Sequence, residues 1–263
     1  MVEVRETRVG GERIRWRVAG QGPPLVLVHG LSASWRWWRA VVPFLSRDYA
    51  CHLVDLPRFT GRRRPDAAAE WISAWADGAD LPRIALVGHS LGGAVAARLA
   101  VMRAELVQAL VLVAAVGMPS RRRLGEYAWP LFTTLRTTNP LFLSQIAADA
   151  FRAAPAALMR GGLYSTRADI SNEARGIRAP TLLVWGERDT LVPISLAAEW
   201  QRVVPASRLV VLPGVGHLPM VERPRKFSEL LLEFLDDAGN GLGVGPVRGV
   251  RRAGDDRESP IRQ

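Results

Sequence analysis

The chain alternates between two hydrophobic patterns. Residues 3–9 (EVRETRV) and 13–18 (RIRWRV) alternate apolar and polar around Gly10 and Gly11, which predicts a β-hairpin. From residue 25 onward the apolar runs become continuous: LVLV at 25–28, CHLV at 51–54, IALV at 84–87, ALVLVA at 109–114, TLLVW at 181–185 and RLVVL at 208–212. Unbroken short runs suit parallel strands buried on both faces. Stretches of helical character separate them, at 35–45, 67–78, 91–103 and 224–236, the last opened by Pro224 in its first turn. Strands alternating with helices predict an α/β fold whose mostly parallel sheet is covered on both faces.

The alternation fails once. Between Val116 and Arg178 no strand pattern survives, and Pro119, Pro130, Pro140 and Pro155 divide an Ala-, Leu-, Phe- and Arg-rich stretch into short helical pieces. An insertion of that length between core strands reads as a lid or cap. The expected organisation is a core of residues 1–115 and 179–237, a helical cap at 116–178, and a disordered Gly/Arg/Asp-rich tail at 238–263.

Composition adds bounds. An apolar share of 48% and a charged share of 23% over 263 residues fit one globular domain with an insertion. No apolar run approaches the ~18 residues of a membrane span. The charged, alternating start is unlike a signal peptide, and the single cysteine, Cys51, forms no internal disulfide; together these favour the cytoplasm. Cys51 sits in a strand run and reads as a small buried hydrophobe. The net charge of +10 raises nucleic acid or anionic membrane as a partner. However, Lys226 is the only lysine, and the arginine clusters at 62–64, 121–123 and 251–252 are scattered and match no nucleic-acid motif. They read as solvated surface, and no nucleic-acid partner is expected.

The strongest chemical signal is GHSLGG at Gly88–Gly93, directly after a strand and opening a helix. In that context G-x-S-x-G is a nucleophile elbow: the chain reverses sharply, and side chains at Gly88 or Gly92 would collide with the adjoining elements. Ser90 is then exposed at the positive end of a helix. A serine nucleophile needs a base. Of the four histidines, His217 lies in the loop after the last strand, His52 lies within a strand, and His89 should point away from the Ser90 hydroxyl. Asp189, just beyond the strand at 181–185, is the expected acidic partner, with Glu187 as its rival. An imidazole base implies activity that is lost on acidification. In HGLSASW at His29–Trp35, the N–H of Leu31 is the expected oxyanion donor together with that of Leu91, while His29 braces the turn.

These residues resemble the α/β-hydrolase superfamily, and within it the small serine esterase and C–C-hydrolase-like group. The resemblance rests on His29–Gly30, DLP at Asp55–Pro57, GHSLGG, WGERD at Trp185–Asp189 and GHLPMVERP at Gly216–Pro224, and it spans residues 13–236. It implies an eight-stranded sheet, a cap after the sixth strand, and acyl transfer to serine without a cofactor or metal. It also places Trp38 as a packing residue. One departure is plain: Asp55–Pro65 reads DLPRFTGRRRP, with Arg58 where the family carries glycine and Gly61 displaced. The expected substrate is a small hydrophobic ester. Trp35 beside the oxyanion loop, and Trp129, Phe132 and Phe142 with other apolar cap residues (Leu131, Leu135, Leu141, Phe151, Leu158), would line its pocket. The alternative is that these cap residues only pack the cap helices onto the core. Perhydrolase and C–C-bond cleavage are alternatives on the same three residues. A non-catalytic ligand-binding member is another. Dehalogenase and epoxide-hydrolase chemistry, with aspartate as nucleophile, is disfavoured by Ser90.

Overall fold

The computed structural model describes residues 2–56, 67–120, 124–153 and 155–241. Eight strands form one sheet in the order β1-β2-β4-β3-β5-β6-β7-β8. They are β1 (Val2–Val9), β2 (Glu12–Ala19), β3 (Pro24–Val28), β4 (Ala50–Val54), β5 (Ile84–His89), β6 (Val107–Val113), β7 (Thr181–Gly186) and β8 (Ser207–Leu212). The β1–β2 hairpin and the β2–β4 pair are antiparallel, and every pairing from β4 to β8 is parallel. Gly10 and Gly11 both have positive φ, 55° and 84°, the geometry a two-residue hairpin turn demands.

Ten α-helices complete the described chain: α1 (Val42–Leu45), α2 (Ala68–Gly78), α3 (Leu91–Met102), α4 (Ala128–Thr137), α5 (Pro140–Arg152), α6 (Pro155–Arg167), α7 (Ser171–Ala174), α8 (Ile194–Val203), α9 (Pro219–Glu222) and α10 (Pro224–Gly241). Because side chains alternate across a strand, each strand feeds two cores. Val26, Val28, Leu86 and Leu110 pack with α2, α3 and α8 on one face. Leu25, Leu27, Cys51 and Val111 pack with α1 and α10 on the other. Trp38, Trp75, Trp200 and Phe227 are fully buried between helices and sheet. Burying such a side chain contributes roughly 2–3 kcal/mol.

Two local expectations differ. Residues 35–45 form a 3-10 turn at Trp35–Trp38 followed by the short α1, not one helix. Pro43 lacks an N–H and disfavours helix in the residue before it, so it can sit only in a first turn. At the other end, α10 continues to Gly241, and Ala238 is buried against the core. The rest of the expected tail, the Arg58–Gly61 departure and the arginine clusters lie outside the described residues. Helices α4 to α7 all fall between β6 and β7. Among the described residues no helix is long and apolar enough to cross a membrane.

Cys51 is buried, and burial pushes its thiol up to about 12, as befits an inert packing residue. His52 is also a core residue: its Nδ1 accepts from Trp16 Nε1 at 3.2 Å. Burial, aided by Arg5, lowers its pKa to about 4. Its folded value therefore lies below the unfolded 6.5, so the unfolded chain binds the proton first. Stability from neutral His52 is complete above about pH 6.5 and falls as the pH drops toward 4, by roughly 3 kcal/mol in all. Urea midpoints should decline from about pH 7.5 to 5, and His52→Gln, which keeps an acceptor for Trp16, should flatten that decline. An equally steep decline in the variant would exclude His52 as the source.

Candidate active site

Ser90 links β5 to α3 with φ 53° and ψ −117°, a conformation that costs a non-glycine residue about 1–3 kcal/mol. Packing enforces it. A Cβ on Gly88 would lie 2.3 Å from Gly92 O, and one on Gly92 would lie 2.4 Å from His29 O, both impossible contacts. The Ser90 backbone is pinned as well: its N–H donates to Val113 O at 2.9 Å, and its carbonyl accepts from Gly93 and Val116 N–H at 2.9 and 3.2 Å. The strand–helix turn thus presents a strained serine at the carboxyl end of the sheet's parallel strands, where doubly wound sheets gather reactive groups.

The loops after β7 and β8 meet beside it. His217 Nδ1 lies 2.8 Å from Asp189 Oδ2, and both residues are buried, with the Asp189 side chain fully so. The other oxygen, Asp189 Oδ1, accepts from Leu191 and Val192 N–H, each at 2.9 Å. Glu187, the rival carboxylate, is exposed and accepts instead from Gly214 N–H at 2.8 Å. No hydrogen bond joins Ser90 to His217 among the described residues; such contacts in unliganded sites often tighten only around a substrate.

Two bracing groups around His217 were not assigned from sequence. The Glu222 carboxylate accepts from Gly216 N–H at 2.8 Å and Leu218 N–H at 3.1 Å, straddling the histidine. His89 Nε2–H donates to the His217 carbonyl at 3.0 Å, and the two rings stand 4.8 Å apart. Burial, then the neighbouring His217, holds the His89 pKa well below its usual value, so it stays neutral. Its Nδ1 has no hydrogen-bond partner among the described residues. Glu222 belongs to the GHLPMVERP motif, which signalled importance without a role.

His29 braces the loop after β3, as expected. Its Nδ1–H donates to Gly30 O at 2.8 Å and its Nε2 accepts from Leu56 N–H at 3.0 Å, which fixes the neutral tautomer. Burial lowers its pKa, against the opposing pull of Asp55. A Cβ on Gly30 would sit 3.2 Å from Ser90 Cβ, so this loop lies directly against the serine. Leu31 follows in a turn closed by Ala33 N–H to Gly30 O, and its own N–H has no acceptor among the described residues. Leu91 is the first residue of α3, so its N–H is one that a helix leaves unpaired.

A cavity of about 250 Å³ opens between this loop and α5 and α6, with Leu31, Ser34, Arg36, Asp55, Asp149 and Arg152 in its walls. Of the expected apolar residues only Leu158 lines this cavity, and neither Ser90 nor His217 is in its described walls. Trp129 and Phe132 are 70% and 52% exposed and stack on each other, and neither they nor Phe142 and Trp35 line the cavity. Phe142 packs edge-on against Trp37 at 5.3 Å, and Trp35 lies under the guanidinium of Arg17 at 4.2 Å. Helices α6 and α4 also approach the core through small and polar groups: a Cβ on Gly161 would meet Leu31 Cδ1 at 2.1 Å, and Thr133 Oγ1 bonds Thr190 Oγ1 at 2.9 Å.

The model of the alpha/beta hydrolase family matches residues 25–230. The chain belongs to this family. This hydrolase is 32% identical over 250 residues to the pimeloyl-acyl-carrier-protein methyl ester esterase of Aeromonas hydrophila, covering 82% of this chain and 96% of that one. It is 29% identical over 269 residues to a 2-hydroxy-6-oxo-6-(2'-aminophenyl)hexa-2,4-dienoic acid hydrolase of Metapseudomonas resinovorans, covering 88% and 90%. Among solved structures it resembles a bacterial membrane phospholipase A, with a TM-score of 0.79 and 26% identity over 91% of this chain and 87% of that one.

Proposed function

We propose that this hydrolase cleaves a carboxylic ester through an acyl-enzyme on Ser90, with His217 as general base and Asp189 as the acid that orients it. The observation that carries the reading is the 2.8 Å His217–Asp189 contact, built by two strand-end loops next to a strained serine. Asp189 Oδ2 accepts the Nδ1 proton, which leaves the Nε2 lone pair for the serine proton. Ser90 Oγ attacks the carbonyl carbon as His217 takes that proton, and the N–H groups of Leu31 and Leu91 hold the oxyanion. His217 passes the proton to the departing alkoxide. Water then attacks the acyl carbon with His217 again as base, releasing the acid and restoring Ser90. In this reading residues 116–178 cap a core made of 1–115 and 179–237.

The cavity volume of about 250 Å³ is below the usual ~300–1,000 Å³ of ligand pockets, and charged side chains share its walls. With this cavity, which Leu31 but not Ser90 or His217 lines, taken as the acyl site, short acyl chains should be preferred. On p-nitrophenyl esters, kcat/KM for butyrate should exceed that for decanoate by about tenfold or more, since each poorly placed CH₂ forfeits up to ~0.8 kcal/mol. No hydrolysis across the panel by folded protein would contradict the esterase reading. The dienoic acid hydrolase relative supports a second reading, C–C cleavage by the same three residues. Turnover of a 2-hydroxy-6-oxo-dienoate with inert esters would favour it.

A further inference from the structure

One buried charge is among the groups that join the cap to the core. Asp149, on α5, is the buried acidic residue of the described insertion, with its side chain 2% exposed. Its Oδ2 accepts from Ser34 Oγ at 2.9 Å and from Trp37 Nε1 at 3.0 Å, across more than a hundred residues of sequence. Its Oδ1 accepts from Arg152 Nη1 at 2.9 Å on its own helix. A buried carboxylate is tolerable only with such a set of donors, and losing the acceptor would strand two buried donors of the core.

The core side has been built to reach it. Ser34 is the N-cap of the 3-10 turn Trp35–Trp38, yet its hydroxyl caps nothing. Asp55 Oδ1 does that work, accepting from Trp35 N–H at 2.6 Å, which frees Ser34 to donate to Asp149. Ser34 is three residues beyond Leu31, with Ala33 N–H bonded to Gly30 O at 3.3 Å and Trp37 N–H to Ser34 O at 3.0 Å, so two consecutive turns join Leu31 to Ser34 and Trp37. Trp37 also contacts His89 at 6.0 Å between ring centroids. By contrast, the large apolar residues Leu141 and Phe151 of α5 are 83% and 93% exposed and do not anchor the helix.

We infer that Asp149 is a positioning residue that fixes the cap to the loop carrying the Leu31 N–H, and so sets the oxyanion donor that the proposed esterase reading assigns. The carboxylate touches no reacting atom in that scheme; it acts through Ser34 and Trp37.

Two substitutions separate the roles of its oxygens. Asp149→Asn can turn its single oxygen to Ser34 and Trp37 and leave the half-exposed Arg152 to water. Asp149→Leu has similar volume and no acceptor. Because one oxyanion donor is worth ~10²–10³ in rate, Asp149→Leu should lower kcat on p-nitrophenyl acetate by about tenfold or more, and Asp149→Asn should restore most of it. Ser34→Ala, a smaller perturbation that keeps the fold if Asp149→Leu does not, should lower kcat in the same direction. Limited trypsin digestion reads the cap without any turnover. Cleavage after the exposed Arg136, Arg160 and Arg167 should be faster in Asp149→Leu than in wild type or Asp149→Asn. Wild-type kcat and wild-type digestion in Asp149→Leu, or equal damage from Asn and Leu, would overturn the inference. If wild type hydrolyses no ester but digestion still distinguishes Leu from Asn, the latch stands and the esterase reading falls.

Discussion

Ser90→Ala is expected to remove ester turnover almost entirely, by up to about a millionfold, the scale on which a serine protease loses rate without its nucleophile. The fold should survive. The strained turn at residue 90 is imposed by backbone contacts of Gly88 and Gly92, and the hydroxyl forms no hydrogen bond among the described residues, so deleting it breaks no packing. Steady-state kinetics on p-nitrophenyl butyrate beside a thermal melt would check both halves. An unchanged kcat in Ser90→Ala would assign the chemistry to another group.

Asp189→Asn should cost about 10⁴-fold in kcat, with little change in structure. The direction follows from the donors around the carboxylate. Leu191 and Val192 N–H both donate to Oδ1, so the asparagine oxygen must stay there. Its NH₂ is then left facing His217 Nδ1, which forces the imidazole proton onto Nε2, where the lone pair is needed. The variant should keep its melting profile and lose most of its rate. An asparagine variant of near wild-type rate would mean that the 2.8 Å contact does not set the tautomer.

Much of the fold was legible because its signals are local. The strands β3, β5, β6 and β7 each carry a continuous apolar run, which suits a strand covered on both faces. Gly88 and Gly92 announced the elbow because no other residue fits those contacts. Asp189 and Glu187 were both candidates from sequence, and only tertiary placement sets the first against His217 and the second against Gly214. The contents of the insertion were not legible. Apolar residues at 129, 132, 141 and 151 suggest a buried interior, yet helices α4 and α5 approach the core through Thr133, Asp149 and Phe142 and leave most of that apolar surface outside. Neither Asp149 with Ser34 nor Glu222 with the His217 loop follows from spacing, because a carboxylate's partners are set by tertiary placement.

The proposed chemistry requires Ser90 to be an activated nucleophile. A fluorophosphonate probe, applied to the folded full-length protein and followed by peptide mass mapping, tests this most directly. One adduct on Ser90, absent from Ser90→Ala and slowed when His217 is replaced by alanine, is the expected result. Folded, ester-hydrolysing protein that carries no adduct on Ser90 would contradict it.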